Sequence, residues 1–231
     1  MSGLFVTGTD TGVGKTVTGC ALLAALGVAG LRTAAMKPVA SGCRRTPQGL
    51  RNDDAEALMA AAGVRHAYDQ VNPVALEPAV APHLAAMDAG VTVDVPALVA
   101  QARRLEADAD LLLVEGAGGW RVPLGANSGF SDLARELGYP VVLVVAIRLG
   151  CINHALLTAE AVQRDGLALA GWVANVITEG EPLWERQIDS LDARLPAPRL
   201  GTLPPRPGAG AADLARHLDV SGLGKTIAAN Q

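Results

Sequence analysis

The sequence predicts a doubly wound α/β fold, with a mostly parallel sheet and helices on both faces, and three observations predict it. Apolar runs such as LLLV (residues 111–114) and PVVLVVAI (residues 140–147) lack polar alternation, as strands buried on both faces do. Helical patterns separate these runs, and right-handed crossovers between parallel strands then build a doubly wound sheet. The first strand leads into a glycine-rich turn and an apolar helix, GTDTGVGKT over residues 8–16. Ligands of open α/β sheets bind beyond such strand ends.

Residues 4–7 form a buried strand ending at Gly8. Residues 17–26 are small and apolar all round, as in a helix buried against a sheet. Residues 33–39 give a second strand, and residues 53–62 a helix that Asn52 or Asp53 can cap. The helix over 95–107 has Asp94 as cap and Pro96 in its first turn. After the strands at 111–114 and 140–147, Ile152, Ala155, Leu156, Ala159 and Val162 fall at helical spacing. Residues 169–176 are strand-like, 182–195 helical, and 199–203 a last short strand. PPRPGAGA, residues 204–211, is a surface loop rather than a boundary. With no repeat or linker, one P-loop α/β domain is expected over residues 1–231, residues 225–231 being tail.

Half of the residues, 50%, are apolar, which supports a sizeable core, and only 3% are aromatic. The net charge is −4 and the 19 basic residues are scattered. Nucleic-acid binding asks instead for a basic face or stacking aromatics. No apolar run has the length of a membrane span. The start, MSGLFVTGTD, lacks the basic segment, apolar stretch and cleavage site of a secretory signal. Cys20, Cys43 and Cys151 are odd in number and far apart, which fits free thiols in a reducing cytoplasm, the expected compartment. Cys151 and His154 form a lone C-x-x-H, too little for a metal site.

The loop departs from the usual phosphate-binding pattern, which has four residues before Gly-Lys-Ser/Thr. Here five lie between Gly8 and Gly14. The end that carries the charge and the metal ligand is intact. The backbone N–H groups of Gly12, Val13, Gly14, Lys15, Thr16 and Val17 would face a phosphate at a helix N-terminus. Lys15 adds a point charge near the outer phosphates, and the Thr16 hydroxyl suits Mg²⁺. The bland alternative is a ligand-free turn, which strand, Gly-Lys-Thr and apolar helix together disfavour. A second Gly-Lys-Thr at Gly224, Lys225 and Thr226 follows no apolar strand and belongs to the tail.

Mg²⁺ takes oxygen ligands. Glu115 ends an apolar strand at the same sheet edge, and a carboxylate there needs a partner. Asp53 and Asp54 could supply another carboxylate, or could simply cap their helix. Lys37 ends the second strand. If that strand neighbours the first, Lys37 reaches the crevice of Lys15, where two lysines would stabilise a moving phosphoryl group. A lone lysine at such a place is otherwise a solvated charge.

GTDTGVGKT, KPVASG, LRNDDA, VNP, LLVEGAGGW, LGCINHALLTAEA and LAGWVAN occur in this order. Together they resemble the dethiobiotin synthetases, from about residue 3 to about residue 205. The five-residue spacer is itself the form associated with that family. The resemblance implies a P-loop homodimer with active sites near the subunit interface. It implies an enzyme of biotin biosynthesis that joins CO₂ to 7,8-diaminononanoate, closes a cyclic urea, and converts ATP to ADP and phosphate. A carbamate forms first, attacks the γ-phosphate to give a carbamic-phosphoric anhydride, and is closed by the second amine.

Carried over residue by residue, the resemblance makes Lys37 catalytic, with Lys15 and Thr11 beside it. Thr16, Asp54 and Glu115 would hold Mg²⁺, and Gly116, Ala117 and Gly118 would line the ATP site. Thr11 and Ser41 fall where carbamate or substrate nitrogens are contacted. Asn175, with Val176 beside it, matches the adenine-reading position, and Pro204, Pro205 and Arg206 match a loop of the adenine pocket. Gly150, Cys151, Ile152 and Asn153 open a helix whose N-terminus would take the substrate carboxylate across the dimer. On the residues alone, Asn153 is an N-cap and Ile152 core packing. Two departures stand out. Gly12 replaces a glutamate of some members, and Gln187 replaces a tyrosine at the carboxylate end.

Three other classes compete. Partitioning and metal-chaperone ATPases carry an early lysine in the loop, where this chain has Asp10. Amidotransferase synthetases need a nucleophilic cysteine in a glycine-rich elbow, which none of the three cysteines occupies. A small-molecule kinase would leave phosphate on its product.

Overall fold

The computed structural model describes residues 3–178, 183–205 and 208–223. β1 (Gly3–Gly8) and α1 (Lys15–Val28) flank the glycine-rich loop. β2 (Thr33–Met36), the two-residue β3 (Val39–Ala40), and a hairpin of β4 (Arg44–Thr46) and β5 (Gly49–Arg51) follow. Next come α2 (Asp53–Ala61), α3 (Tyr68–Val71), β6 (Val74–Ala75), α4 (Pro82–Asp88), α5 (Val95–Ala107) and β7 (Leu111–Gly119). The remainder is α6 (Phe130–Leu137), β8 (Val141–Ala146), α7 (Cys151–Arg164), β9 (Leu169–Asn175), α8 (Trp184–Asp192), β10 (Arg199–Leu203) and α9 (Ala211–Ala215).

Six strands form one sheet in the order β10-β9-β8-β1-β7-β2, and every neighbouring pair is parallel. The doubly wound parallel α/β fold expected from the apolar runs is the fold observed. β1 lies inside the sheet between β7 and β8, so its carboxyl end opens where the winding changes direction.

Strand alternation sorts side chains into two layers. Leu4, Val6, Leu111, Leu113, Val142 and Val144 pack with Leu22 and Leu26 of α1, Leu58 of α2 and Leu214 of α9. On the opposite face Phe5, Leu112, Val114 and Val141 meet Leu98 and Leu105 of α5 and Leu133 and Leu137 of α6. Leu143, Val145 and Trp172 extend that layer against Ala155 and Ala159 of α7 and Ile188 and Leu191 of α8. By the same period of two, Glu115 follows Leu111 and Leu113 onto the α1 face.

Several elements differ from the sequence expectation. The strand expected over 33–39 breaks after Met36, and β3 pairs with β6 in a separate two-stranded sheet. The cause is local: Pro38 has no N–H, and the Lys37 N–H donates to the Val71 carbonyl at 2.9 Å. β2 does not neighbour β1, because β7 lies between them. The strand expected over 111–114 runs on to Gly119, where the glycines pair back to Gly8. α1 is not buried all round, since Val17 is 47% and Val28 89% exposed. The cap of α7 is Gly150, at φ 92°, rather than Asn153. Among the described residues no helix is long and apolar enough to cross a membrane. The second Gly-Lys-Thr, residues 224–226, lies outside the described residues.

Candidate functional site

The phosphate-type loop is shaped by glycines and locked from β9, two strands from β1 in the sheet. Gly12 and Gly14 take φ of 74° and 88°, the left-handed region that branched residues resist. A Cβ on Gly14 would lie 2.1 Å from Asn175 Nδ2. That amide, at the end of β9, donates to the Val13 carbonyl at 2.8 Å. No side chain caps the first turn of α1, so its N–H groups face open space where an anion can sit.

Two lysines converge on this loop. Lys15 is buried, and its Nζ donates to the Asp10 carbonyl at 3.0 Å. Burial, followed by the positive charge of Lys37, pulls its pKa down to about 8. Lys37 sits just past β2, held by Asn72 Nδ2, which donates to the Lys37 carbonyl at 2.6 Å. Its Nζ donates to Glu115 Oε1 at 2.5 Å, to Asp54 Oδ2 at 3.2 Å and to the Gly116 carbonyl at 3.2 Å. Burial alone would lower the Lys37 pKa, but Glu115 and Asp54 together outweigh it and hold the ammonium above the usual lysine value.

Glu115 joins these parts. The carboxylate is fully buried, and the Thr16 hydroxyl donates to its Oε1 at 2.8 Å. Its other oxygen, Oε2, is buried without a hydrogen-bond partner and faces Gly19 of α1, where a Cβ would come within 3.3 Å. An orphaned carboxylate oxygen, a threonine hydroxyl and the half-exposed Asp54 make an all-oxygen donor set. That chemistry fits Mg²⁺ with water and phosphate completing the shell. Among the described residues there is no group of three or more His, Cys, Asp and Glu side chains that could hold a metal ion.

The two acidic candidates at the start of α2 separate. Asn52, not either aspartate, caps the helix through Ala55 N–H, at 3.2 Å. Asp53 points outward to Arg44, while Asp54 turns in to Lys37. Lys37 therefore reaches the loop without β2 touching β1: β7 intervenes and supplies Glu115 as the bridge.

A cavity of about 670 Å³ lies over this cluster. Thr11, Gly12, Gly14, Lys15, Thr16, Val17, Lys37, Ser41, Asp54, Ala117 and Gly118 all line it. Gly116 adds its carbonyl beneath. Asn52 also lines it, although its capping pattern alone had suggested a structural role. Asn175 touches the loop from below. Val176 is buried in the layer between the sheet and α7 and α8. Pro204 and Pro205 follow β10 and are half-buried, and Arg206 lies outside the described residues.

Gly150, Cys151, Ile152 and Asn153 do not line this cavity. They open α7 elsewhere on the rim, with Cys151 buried and Asn153 exposed. There the Cys151 thiol donates to Gln187 Oε1 at 3.2 Å. Cys20, Cys43 and Cys151 are all free thiols. Burial, then the charges of Glu115 and Asp54, push the Cys20 thiol up to about 12, so it is no nucleophile.

Two contributors escaped the sequence reading. Asn72, in VNP, fixes the Lys37 backbone and is marked in the chain only by its place in that motif. Arg148 pairs with Asp10 at 3.1 Å and so steadies the loop from the turn before α7. Nothing in its sequence surroundings signals that contact.

The chain matches the model of the AAA domain family over residues 2–213. It is 57% identical over 225 residues to a protein of Pseudomonas paraeruginosa named ATP-dependent dethiobiotin synthetase BioD, covering 97% of this chain and 99% of that protein. A protein of the same name from Cellvibrio japonicus is 52% identical over 219 residues, 95% and 96% of the two chains. Among solved structures, the MinC:MinD cell division protein complex of Aquifex aeolicus gives a TM-score of 0.58 at 17% identity, covering 95% of this chain and 88% of that one. The Pyrococcus furiosus cell division ATPase MinD gives 0.56 at 16% identity, covering 98% and 100%. The two solved structures share the fold with this chain; at these identities they say nothing more.

Proposed function

The chain belongs to the ATP-dependent dethiobiotin synthetases, within the AAA domain family, and from that premise we propose how its residues divide the reaction. The enzyme is an ATP-dependent ligase of biotin biosynthesis that carboxylates 7,8-diaminononanoate with CO₂ and closes the urea ring of dethiobiotin. One observation carries the assignment of roles: Lys15, Thr16, Lys37 and Asp54, from α1, the turn after β2 and α2, line one cavity, and the buried Glu115 of β7 is bonded to Thr16 and Lys37 beneath it.

The loop N–H groups from Gly12 to Val17 bind the phosphates of ATP at the start of α1. Thr16 Oγ1 and the carboxylates of Asp54 and Glu115 would hold Mg²⁺, which when bound neutralises charge on the outer phosphate oxygens. Lys15 lies close enough to leave the Asp10 carbonyl for a phosphate oxygen. Lys37 places its ammonium between phosphate and carbamate, where negative charge gathers as the carbamate oxygen attacks phosphorus. Thr11 and Ser41, which both line the cavity, orient carbamate and amine. The second amine then attacks the activated carbonyl and expels phosphate. Gly116, Ala117 and Gly118 close the floor beside Glu115.

The nucleoside leads away from Val17 toward Asn175, Pro204 and Pro205. A separate cavity of about 390 Å³, lined by Val17, Cys20, Ala61, Ala209 and Leu214 but not by Asn175, Pro204 or Pro205, opens beside Val17. The helix start at Gly150, Cys151, Ile152 and Asn153 lies outside the cavity in its own chain. We infer that it serves the substrate carboxylate of a partner in a homodimer, with Gln187 held beside it by Cys151.

The test is a single incubation with ATP, Mg²⁺, labelled bicarbonate and 7,8-diaminononanoate. Label in a cyclic urea, with ADP and free phosphate released in equal amounts, is expected. A phosphorylated product without free phosphate would instead establish a kinase.

A further inference from the structure

One phenol hydroxyl ties together the two segments that carry Lys37 and Asp54. Tyr68 opens α3, and its Oη donates to Asn72 Oδ1 at 2.9 Å and accepts the Asn52 N–H at 2.6 Å. Asn72 fixes the direction of the first bond: its Nδ2 donates to the Lys37 carbonyl at 2.6 Å, which leaves Oδ1 as the acceptor. Burial raises the Tyr68 pKa above the usual tyrosine value, so the hydroxyl keeps its proton. The Lys37 N–H donates to the Val71 carbonyl at 2.9 Å, so both polar groups of the Lys37 backbone are held from α3 and its cap. On the other side Asn52 caps α2 by accepting the Ala55 N–H at 3.2 Å, and Asp54 lies in that first turn. The circuit closes through side chains, from Lys37 Nζ to Asp54 Oδ2 at 3.2 Å. Asn52 and Asn72 are only 8% and 3% exposed, so little water can replace a lost partner at either. The Arg51 guanidinium lies over the Tyr68 ring, 4.1 Å from its centroid.

We propose that Tyr68 is a positioning residue: through Asn52 and Asn72 its hydroxyl sets Asp54 against Lys37, and so places the carboxylate that Mg²⁺ would use. This rests on the ligase reading above. Tyr68 does not line the cavity, so it acts through the two asparagines. Glu115 and Lys37 are both buried and bonded at 2.5 Å, which holds each against the other. Asp54 is half-exposed on the first turn of a different element, and it meets Lys37 at the longer 3.2 Å. A side chain held that loosely takes its place from its backbone. The backbone there is set by Asn52, whose own N–H is held by Tyr68. Groups that orient metal-ligating carboxylates in this way tune affinity and rate without touching the reacting atoms.

The experiment removes the hydroxyl and keeps the ring, as Tyr68→Phe. Mg²⁺ is titrated by calorimetry into protein saturated with ADP, with the titration of free ADP subtracted. The variant should bind Mg²⁺ about tenfold more weakly, and kcat should fall by a similar factor. The dissociation constant of ADP without metal, and KM for the diamine, should not move. A purely structural tyrosine would lower Tm and leave Mg²⁺ affinity and kcat alone, and that result would overturn the proposal. In an Asp54→Asn background the same change should weaken Mg²⁺ binding by about twofold or less, because the group it positions is already altered. A tenfold loss that persists there would place the action of Tyr68 elsewhere and overturn the proposal too. If Tyr68→Phe does not fold, Asn72→Ser interrupts the same circuit at its other end and should show the same loss. Normal Mg²⁺ affinity in that variant would end the proposal. Mg²⁺ affinity is read without turnover, so wild-type protein that makes no cyclic urea would sink the ligase reading while the variants still decide the role of Tyr68.

Discussion

The rim around Glu115 and the start of α7 are both helix N-termini at the carboxyl edge of one sheet, yet they are built differently. At the first, a buried carboxylate is tied to α1 through Thr16 and to the end of β2 through Lys37, and Lys37 is tied in turn to α2 through Asp54. At the second, Gly150 opens the helix without a side-chain cap, Asn153 is exposed, and a single thiol contact links Cys151 to Gln187. The first end is finished within one chain. The second leaves the N–H groups of its first turn without a side-chain cap. Under the proposed roles, charge chemistry is built into mutually bonded groups, whereas recognition of a substrate tail is left on a surface.

The largest effect should come from the finished end. Lys37→Ala removes the ammonium that bridges Glu115, Asp54 and the reacting phosphate. Turnover should fall about a hundred- to thousandfold, while the dissociation constant of ADP changes little. Single-turnover kinetics with parallel nucleotide binding checks this. Near-normal turnover would show that the two ends do not differ as described. Next, Glu115→Gln keeps the shape but removes the charge that Thr16 and Lys37 share. The Mg²⁺ concentration needed for half-maximal activity should rise about tenfold or more. An unchanged Mg²⁺ titration would remove Glu115 from the ligand set.

How far these ends could be read from the chain follows the same division. The loop, Lys37 and Glu115 were visible because apolar strands with abrupt polar ends place such residues at one sheet edge. The route was not visible. Lys37 was expected to arrive by adjacency of the first two strands, yet β7 intervenes, and strand order is set by long-range packing that no local pattern encodes. Asp54 could not be told from Asp53 by capping chemistry, because Asn52 took the cap and Arg44 took Asp53. α6 went unread although Phe130, Leu133, Ala134 and Leu137 are spaced for a helix and Gly138 ends it at φ 67°. Its first turn lies behind a run of glycine, asparagine and serine that looks like loop, and the Gly129 N–H bonded to Asp132 Oδ2 at 2.8 Å marks the start in place of a familiar cap. The start of α7 was legible as a helix opening, but whether it meets a second chain is not written in one chain.

The comparison sharpens if the open end truly serves a second subunit. Mixed dimers of Lys37→Ala chains with chains altered at Asn153 should regain about half of wild-type activity, since one of the two sites is then whole. Separately tagged chains, purified as confirmed mixed dimers, give the measurement. No rescue would place the carboxylate contact within the same chain or remove it.

A smaller effect tests whether charge is confined to the phosphate end. The Lys15 pKa is depressed to about 8 from 10.5 by burial and by Lys37. Folding alone therefore favours the neutral amine, so below about pH 8 the folded protein carries this charge at a cost. That cost is relieved as pH rises from about 8 toward 10.5. Bound phosphate reverses the preference, since a neighbouring anion favours the ammonium. Nucleotide binding should thus take up protons above about pH 8, and affinity for ADP should weaken as pH climbs through that value. Calorimetry in buffers of different ionisation heat reports the proton uptake directly. An affinity for ADP that stays flat through that pH, with no proton taken up, would mean that the Lys15 ammonium does not meet the phosphates.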